Sequence, residues 1–305
     1  MPEDSLEKLG WLGFLLEKPP AILYHYTSMD GLLGIVNSGR IRATDIRYLN
    51  DESESKQIWN ALRGRLQQRL AGTSGPELAN AREILDAIEN RHASGVFIDV
   101  FVASFSELGD SLSQWRAYSS GGIGFSIGFD PSALRIQSVT NALSGKPVSV
   151  MGRLARVRYV RADDDPSIDS VIAAIDQHAS FMDDNLIKNL PGPEKPSRGD
   201  LFRAVASTMA PVFKNEAFSE EHEWRLILSK SPRPMPLKQF RAGKSMLIPY
   251  VEAEPTGEGS YFINEVVVGP TPHPALSKKA VESLFKSIGQ PQVVVRESMA
   301  PYRHW

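Results

Sequence analysis

Residues 21–50, AILYHYTSMDGLLGIVNSGRIRATDIRYLN, decide how the rest of the chain is read. The stretch opens with an apolar run that has the character of a buried strand and ends in His25-Tyr26-Thr27-Ser28. Ser28 suits an N-cap and Gly39 a left-handed stop, so a helix over Met29–Ser38 is expected, with Asp30 in its first turn. A second extended segment follows over Ile41–Ile46. A strand that ends in an imidazole, a phenol and two hydroxyls delivers polar groups from a packed scaffold to a cleft.

Outward from there, strands and helices of uneven length alternate. Residues 1–18 carry Leu6, Leu9, Trp11, Phe14 and Leu15 as a short amphipathic helix, ended by Pro19-Pro20. A long helix runs from Asn50 or Asp51 to about Leu70, with Ile58, Leu62, Leu66 and Leu70 at four-residue spacing. A second helix carries Leu78, Ala81, Leu85 and Ile88 on one face. Val96–Ser104 is an apolar, central strand. Leu112–Tyr118 is a short helix or turn. Ile123, Phe125, Ile127 and Phe129 alternate with small residues, the pattern of a half-buried strand. Ala155, Val157 and Tyr159 alternate in another. Residues 161–200 form a polar, acidic stretch around a helix near Ile168–Leu190, and a helix follows over Leu201–Lys214. Strands are expected at Trp224–Leu228, Met246–Val251, Ile263–Val268 and Val293–Val295, with a helix over Pro274–Ile288. This order predicts an α+β fold: a single mixed domain, 1–305, with a central, mostly antiparallel sheet and helical insertions at 51–92 and 161–214.

Composition narrows the chemistry. The chain has 305 residues, 42% hydrophobic and 23% charged, enough to bury a substantial core. A net charge of −2 and a pI of about 6.3 give no global basic field for nucleic acid. There is no cysteine, which excludes disulfides, thiolate metal sites and cysteine nucleophiles. The acidic start MPEDSLEKLG lacks the order of a signal peptide, and no apolar run reaches the roughly 20 residues of a membrane span. A cytoplasmic location is the expectation.

Four segments hold the candidate chemistry. His25 stands alone, without a second histidine at metal-ligand spacing, so its expected role is donating a hydrogen bond to a ligand hydroxyl rather than zinc ligation. Its alternative is a satisfied core residue. Ser104 and Ser106 share one face of their strand as a polar shelf, or else begin a turn. Trp115, Arg116 and Tyr118 bring an indole, a guanidinium and a phenol together, which suits a flat ring and a phosphate. The glycines that follow do not match the dinucleotide fingerprint, so a Rossmann site is rejected. In Phe218–Leu228, Glu220, Glu221 and Glu223 crowd the entrance to a strand, with Arg225 placed to pair with Glu223; the bland reading is a solvated acidic turn. Crowded carboxylates raise one another's pKa unless a cation or ligand uses them.

Together the segments LYHYTS…GLLGIVNSGRIRATDIRYLNDESE, FVASFSE…LSQWRAY…GIGFSIGFD and FSEEHEWRLIL resemble the bacterial family called domain of unknown function 2971. The likeness spans roughly Ile22 to Val268, and Ser298-x-x-Pro301-Tyr302-Arg303 is similar to that family's ending. The order of a strand with His, a strand with Ser-x-Ser and Glu-x-Glu entering a strand also resembles the ADP-ribosyltransferase superfamily. This chain departs from that pattern in joining a first-strand His to Ser-x-Ser, which normally accompanies Arg.

That second resemblance implies a sheet of the ADP-ribosyltransferase type and cleavage of NAD at the nicotinamide–ribose bond. The ADP-ribose would pass to a protein, a nucleic acid or water, with a bacterial toxin or phage-defence setting by analogy. It implies Glu223 as the carboxylate beside the ribose, Glu221 as the group that prepares the acceptor, and His25 with Thr27 on a ribose hydroxyl. Ser104 and Ser106 would then sit at the nicotinamide. Tyr26, Trp115 or Tyr118 would stack on a ring, and Arg47 or Arg116 would meet the diphosphate. NAD is the expected cosubstrate, with no metal and no membrane partner. Two alternatives stand beside it. One is a non-catalytic nucleotide- or nucleic-acid-binding sensor module; the other is a metal-dependent nuclease built on Asp51, Glu54, Glu221 and Glu223.

Overall fold

The computed structural model describes residues 17–49, 52–72, 74–89, 99–118, 124–136, 138–141, 146–160, 167–182, 197–230, 238–243, 245–255 and 262–302. Strand β1 (Leu23–Ser28) runs directly into helix α1 (Met29–Ser38). The Ser28 hydroxyl accepts from the Gly31 amide, and Gly39 ends the helix at φ 65° with its N–H on the Ile35 carbonyl. Strand β2 (Ile41–Asp45) closes the unit, and a 3-10 turn at Ile46–Tyr48 replaces the last part of the expected strand. There the Asp45 carboxylate accepts from the Arg47 amide.

Helices α2 (Glu52–Gly72) and α3 (Pro76–Glu89) lead to β3 (Asp99–Ser106), α4 (Leu112–Tyr118) and β4 (Gly124–Phe129). Strand β4 is buried at every position, not half-buried, because it lies between β1 and a later strand. Short strands β5 (Ser138–Thr140) and β6 (Pro147–Ser149) precede β7 (Met151–Arg156) and β8 (Arg158–Val160). The expected strand around Val157 is thus two strands, which pair in different sheets. Helices α5 (Ser167–Met182) and α6 (Arg198–Met209) follow. The second was expected to continue to Lys214. Instead Pro211 falls in a 3-10 turn, and β9 (Phe213–Asn215) places Lys214 on a strand. The remaining elements are β10 (Glu223–Lys230), β11 (Gln239–Ala242), β12 (Leu247–Ala253), β13 (Ile263–Val268), α7 (Pro274–Ser287) and β14 (Val294–Glu297).

The fold is α+β. Among the described residues, a 12-stranded open sheet is mixed and largely antiparallel, β13–β14 being parallel, and β8 and β9 make a separate parallel pair. One face of the sheet packs Phe101, Phe105, Trp224, Leu226 and Leu228 with α1 and α7. The other face, through Val100, Val102 and Ile227, packs α2, α3, α5 and α6. Two helical segments far apart in sequence therefore build one layer. The expected N-terminal helix and the Gly121-Gly122-Ile123 turn lie almost wholly or wholly outside the described residues.

The sheet forks at β3. Strand β10 lines one edge of β3 over its whole length. On the other edge β1 meets β3 at Tyr24–Ser106, while β2 meets it at Thr44–Val102 and Asp45–Phe101. Ala103, Ser104 and Phe105 lie between those contacts, where β1 and β2 diverge.

Candidate functional site

A cavity of about 660 Å³ opens at this fork. Its floor includes Val102–Phe105 of β3, and its walls include His25, Thr44, Gln114, Lys214, Glu221, Glu223 and Arg225. The antiparallel register explains why. Ser104 lies opposite Arg225 and Ser106 opposite Glu223, and directly opposed residues share a face of the sheet. Two motifs more than a hundred positions apart are thereby stacked side by side.

Glu223 is the centre of a buried charge cluster. Its carboxylate receives Arg225 Nε at 2.7 Å, a second Arg225 nitrogen at 3.0 Å and Lys214 Nζ at 3.1 Å. Glu223, Arg225 and Lys214 are 4%, 2% and 6% exposed, so these are desolvated, charge-assisted bonds. Burial alone would raise the Glu223 pKa. The charges of Arg225 and Lys214, with the hydrogen bonds from Arg225 and a smaller pull from the nearby Ser104 hydroxyl, overcome it and hold the carboxyl at about 2. The Glu223 amide donates to Tyr159 Oη at 2.8 Å, and burial pushes that phenol up to about 12.

Lys214 also holds Glu221 at 2.7 Å and faces the Phe218 ring at 4.8 Å. Glu221 ends a 3-10 turn (Glu216–Glu221) whose exit residue, His222, has φ 45°. This left-handed residue turns the chain sharply from the turn into β10, and both flanking carboxylates reach the same ammonium. The crowding is thus relieved by cations on β9 and β10.

His25 is joined to this cluster through Ser104. Its Nδ1 lies 2.9 Å from the Ser104 carbonyl, which has no strand partner on the forked edge. Burial lowers the His25 pKa, against the pull of that carbonyl, so the ring is neutral at pH 7. A carbonyl only accepts; the proton must therefore sit on Nδ1, leaving Nε2 as an acceptor. The ring can receive a ligand hydroxyl but cannot donate to one through Nε2, the reverse of the role the sequence suggested.

The other sequence candidates divide. Tyr26 lines the cavity, but its phenol donates to the Leu108 carbonyl at 2.6 Å and accepts from the Ser111 amide at 2.9 Å. Thr27 packs under α1, where a Cβ at Gly31 would come within 1.8 Å of its hydroxyl. Ser106 donates to the Glu221 carbonyl at 2.7 Å and accepts from the Leu108 amide at 3.1 Å, tying the strand end to the acidic turn. Trp115 is 1% exposed, edge-on to Tyr26, with its indole N–H on Asp110 at 2.7 Å. Arg116 is exposed, its guanidinium 5.8 Å from the Tyr302 ring centroid. Arg47 is clamped by Asp45 at 2.9 and 2.6 Å and reaches Asp99 at 3.4 Å. Among the described residues that line the cavity, Thr27, Ser106, Trp115, Arg116 and Arg47 do not occur. The Tyr118 and Glu54 side chains and Asp51 lie outside the described residues.

Sequence reasoning missed Lys214, Gln114, Arg42 and Arg241, all of which line the cavity. Gln114 is 5% exposed, and among the described residues its amide makes no hydrogen bond. Its polar atoms are not sealed from the cavity, where water or a ligand can take them as hydrogen-bonding partners. Its place in the Ser-Gln-Trp-Arg string was the only signal. Among the described residues no group of three or more acidic or histidine side chains could hold a metal ion, and no helix is long and apolar enough to cross a membrane.

Residues 114–226 match a family model described as Protein of unknown function (DUF2971). The matched segment begins at Gln114 and ends one residue past Arg225, so it takes in Lys214, Glu221 and Glu223 but not His25 or Ser104. No curated protein and no solved structure matches the chain.

Proposed function

We propose that the chain is an ADP-ribosyltransferase-like enzyme that binds NAD in the forked-sheet cavity and breaks its nicotinamide–ribose bond. One observation carries this reading: Ser104 joins the other two candidates, its carbonyl 2.9 Å from His25 Nδ1 and its side chain on the same sheet face as Arg225, which holds the Glu223 carboxylate at 2.7 Å. Three residues from three strands thus meet at one polar point on a cavity floor.

In this mechanism the bond between ribose C1′ and the nicotinamide nitrogen breaks, and its electron pair leaves with neutral nicotinamide. The ribose becomes an oxocarbenium ion like that of glycoside hydrolysis. Glu223, ionised because its pKa is held at about 2, stabilises that cation. Arg225 and Lys214 fix its orientation. His25 Nε2 accepts a ribose hydroxyl. The incoming nucleophile, water or a macromolecular group, bonds to C1′ and gives up its proton towards Glu221, whose side chain is 19% exposed.

A second reading is a nucleotide-binding module without turnover. It is favoured by the same cluster: both Glu223 oxygens already face cations, which mutes the field available to a new cation.

The test is nicotinamide release from NAD, alone and with cell lysate, followed by mass spectrometry beside NAD binding by calorimetry. Release should fall at least about 100-fold in Glu223→Gln while NAD still binds. Binding without release by the wild-type protein selects the module. Full release in a folded Glu223→Gln variant overturns the role given to that residue.

A further inference from the structure

The cavity has a second polar end. Its described lining carries Arg42, Arg241, Lys214 and Arg225 against Glu221 and Glu223, two more cations than carboxylates. Lys214 and Arg225 are bonded to those carboxylates, so the excess lies with Arg42 and Arg241.

Both sit where β2, β12 and β11 run side by side. Thr44 lies opposite Tyr250, Arg42 opposite Glu252, and Arg241 opposite Ile248. The Arg42 guanidinium lies 4.8 Å from the Tyr250 ring centroid, and the Tyr250 hydroxyl donates to Gln239 at 2.8 Å, so the stack is held in place. Arg241 reaches Thr44 Oγ1 at 3.4 Å and has no carboxylate in ion-pair range among the described residues. Arg42 meets Glu252 at 3.7 Å, but that carboxylate also serves Arg40 at 3.3 Å. Partial burial and the nearby Arg42 charge both push the Arg241 pKa down, the sign of two guanidinium groups held close without a shared anion.

Arg47, the arginine that the sequence offered for a diphosphate, is taken by Asp45. Planar guanidinium pairs bind phosphate oxygens in two-pronged fashion.

We propose that Arg42 and Arg241 form a phosphate-binding subsite that takes a phosphate or diphosphate group of the cavity's ligand. The strand order separates it from Gln114 on α4, which packs on the β1 side of the fork. A ligand would lie with its anionic end over β2 and β11, its sugar at Ser104 and Glu223, and a hydrogen-bonding ring or carboxamide at Gln114. The nucleotide reading supplies the ligand class; anion capture itself does not depend on turnover at Glu223.

Calorimetry with pyrophosphate, ADP and adenosine tests the subsite, on the wild-type chain and on Arg42→Gln, Arg241→Gln and the double variant. Each single change should weaken ADP and pyrophosphate about tenfold and leave adenosine unchanged. The double variant should also lose part of the salt dependence of ADP binding. Melting temperatures should stay at the wild-type value, since both side chains are largely exposed. Equal ADP affinity in the folded double variant overturns the subsite, as does failure of the wild-type protein to bind ADP or pyrophosphate at millimolar concentration. ADP binding that depends on both arginines, in a protein that releases no nicotinamide, sinks the enzyme reading and keeps the subsite.

Discussion

The two sides of the forked cavity treat polar groups in opposite ways. On the β10 side, Glu223, Arg225 and Lys214 are buried, with both cations bonded to the Glu223 carboxylate. On the other sides, Gln114 makes no hydrogen bond among the described residues, and Arg42 and Arg241 outnumber the carboxylate near them. A satisfied network rigidifies a fold, whereas polar groups left waiting near a cavity are where a ligand gains its contacts. The first side is a satisfied network; the second leaves its polar groups open to the cavity.

The sharpest way to break this contrast is at Arg225. Arg225→Met leaves Glu223 buried with Lys214 as its remaining cation, and should cost roughly 3–5 kcal/mol of stability, read as a lower urea midpoint. Adding Glu223→Gln should recover part of that loss. A single variant as stable as the wild type would show that the β10 side is no more anchored than the rest.

Acid probes the same side without mutation. The Glu223 pKa lies at about 2 when folded and near 4.5 otherwise, so its contribution is full above 4.5 and disappears as pH falls from 4.5 to about 2. The wild-type melting temperature should drop through that window, and Glu223→Gln should flatten the drop. Parallel profiles for the two proteins would contradict the pairing.

The smallest effect is expected at Gln114, and it should be of opposite sign. Gln114→Leu removes a cavity-facing amide that has no protein partner among the described residues, so stability should rise by less than about 1 kcal/mol while ligand affinity falls. A loss of stability would mean that the amide serves the scaffold, and the contrast between the two sides would narrow.

Local chemistry was readable in the sequence wherever a residue acts on its immediate neighbours. Ser28 and Gly39 bound α1 as expected, because capping needs only side chains and amides within a turn. The placement of Arg225 beside Glu223 followed from strand alternation, and the structure places them 2.7 Å apart. Ser104 and Ser106, however, share a face yet serve different ends, since one lies in the fork and the other ties down the acidic turn. Their spacing gave no means of telling them apart. Trp115 has the composition of a stacking platform, yet Asp110 and Tyr26 hold it in the core.

By itself, then, the sequence determined an α+β chain, the caps of α1, His25 and Ser104 on strands, and Glu223 at the entrance to another. Periodicity and capping are properties of a few consecutive residues. The tertiary structure alone decided that β1 and β2 part over β3, that Lys214 leaves its helix for a strand beneath Glu223, and that Arg42 rather than Arg47 lines the cavity. Those outcomes depend on register between strands distant in the chain. A shift of one residue would turn each side chain to the opposite face.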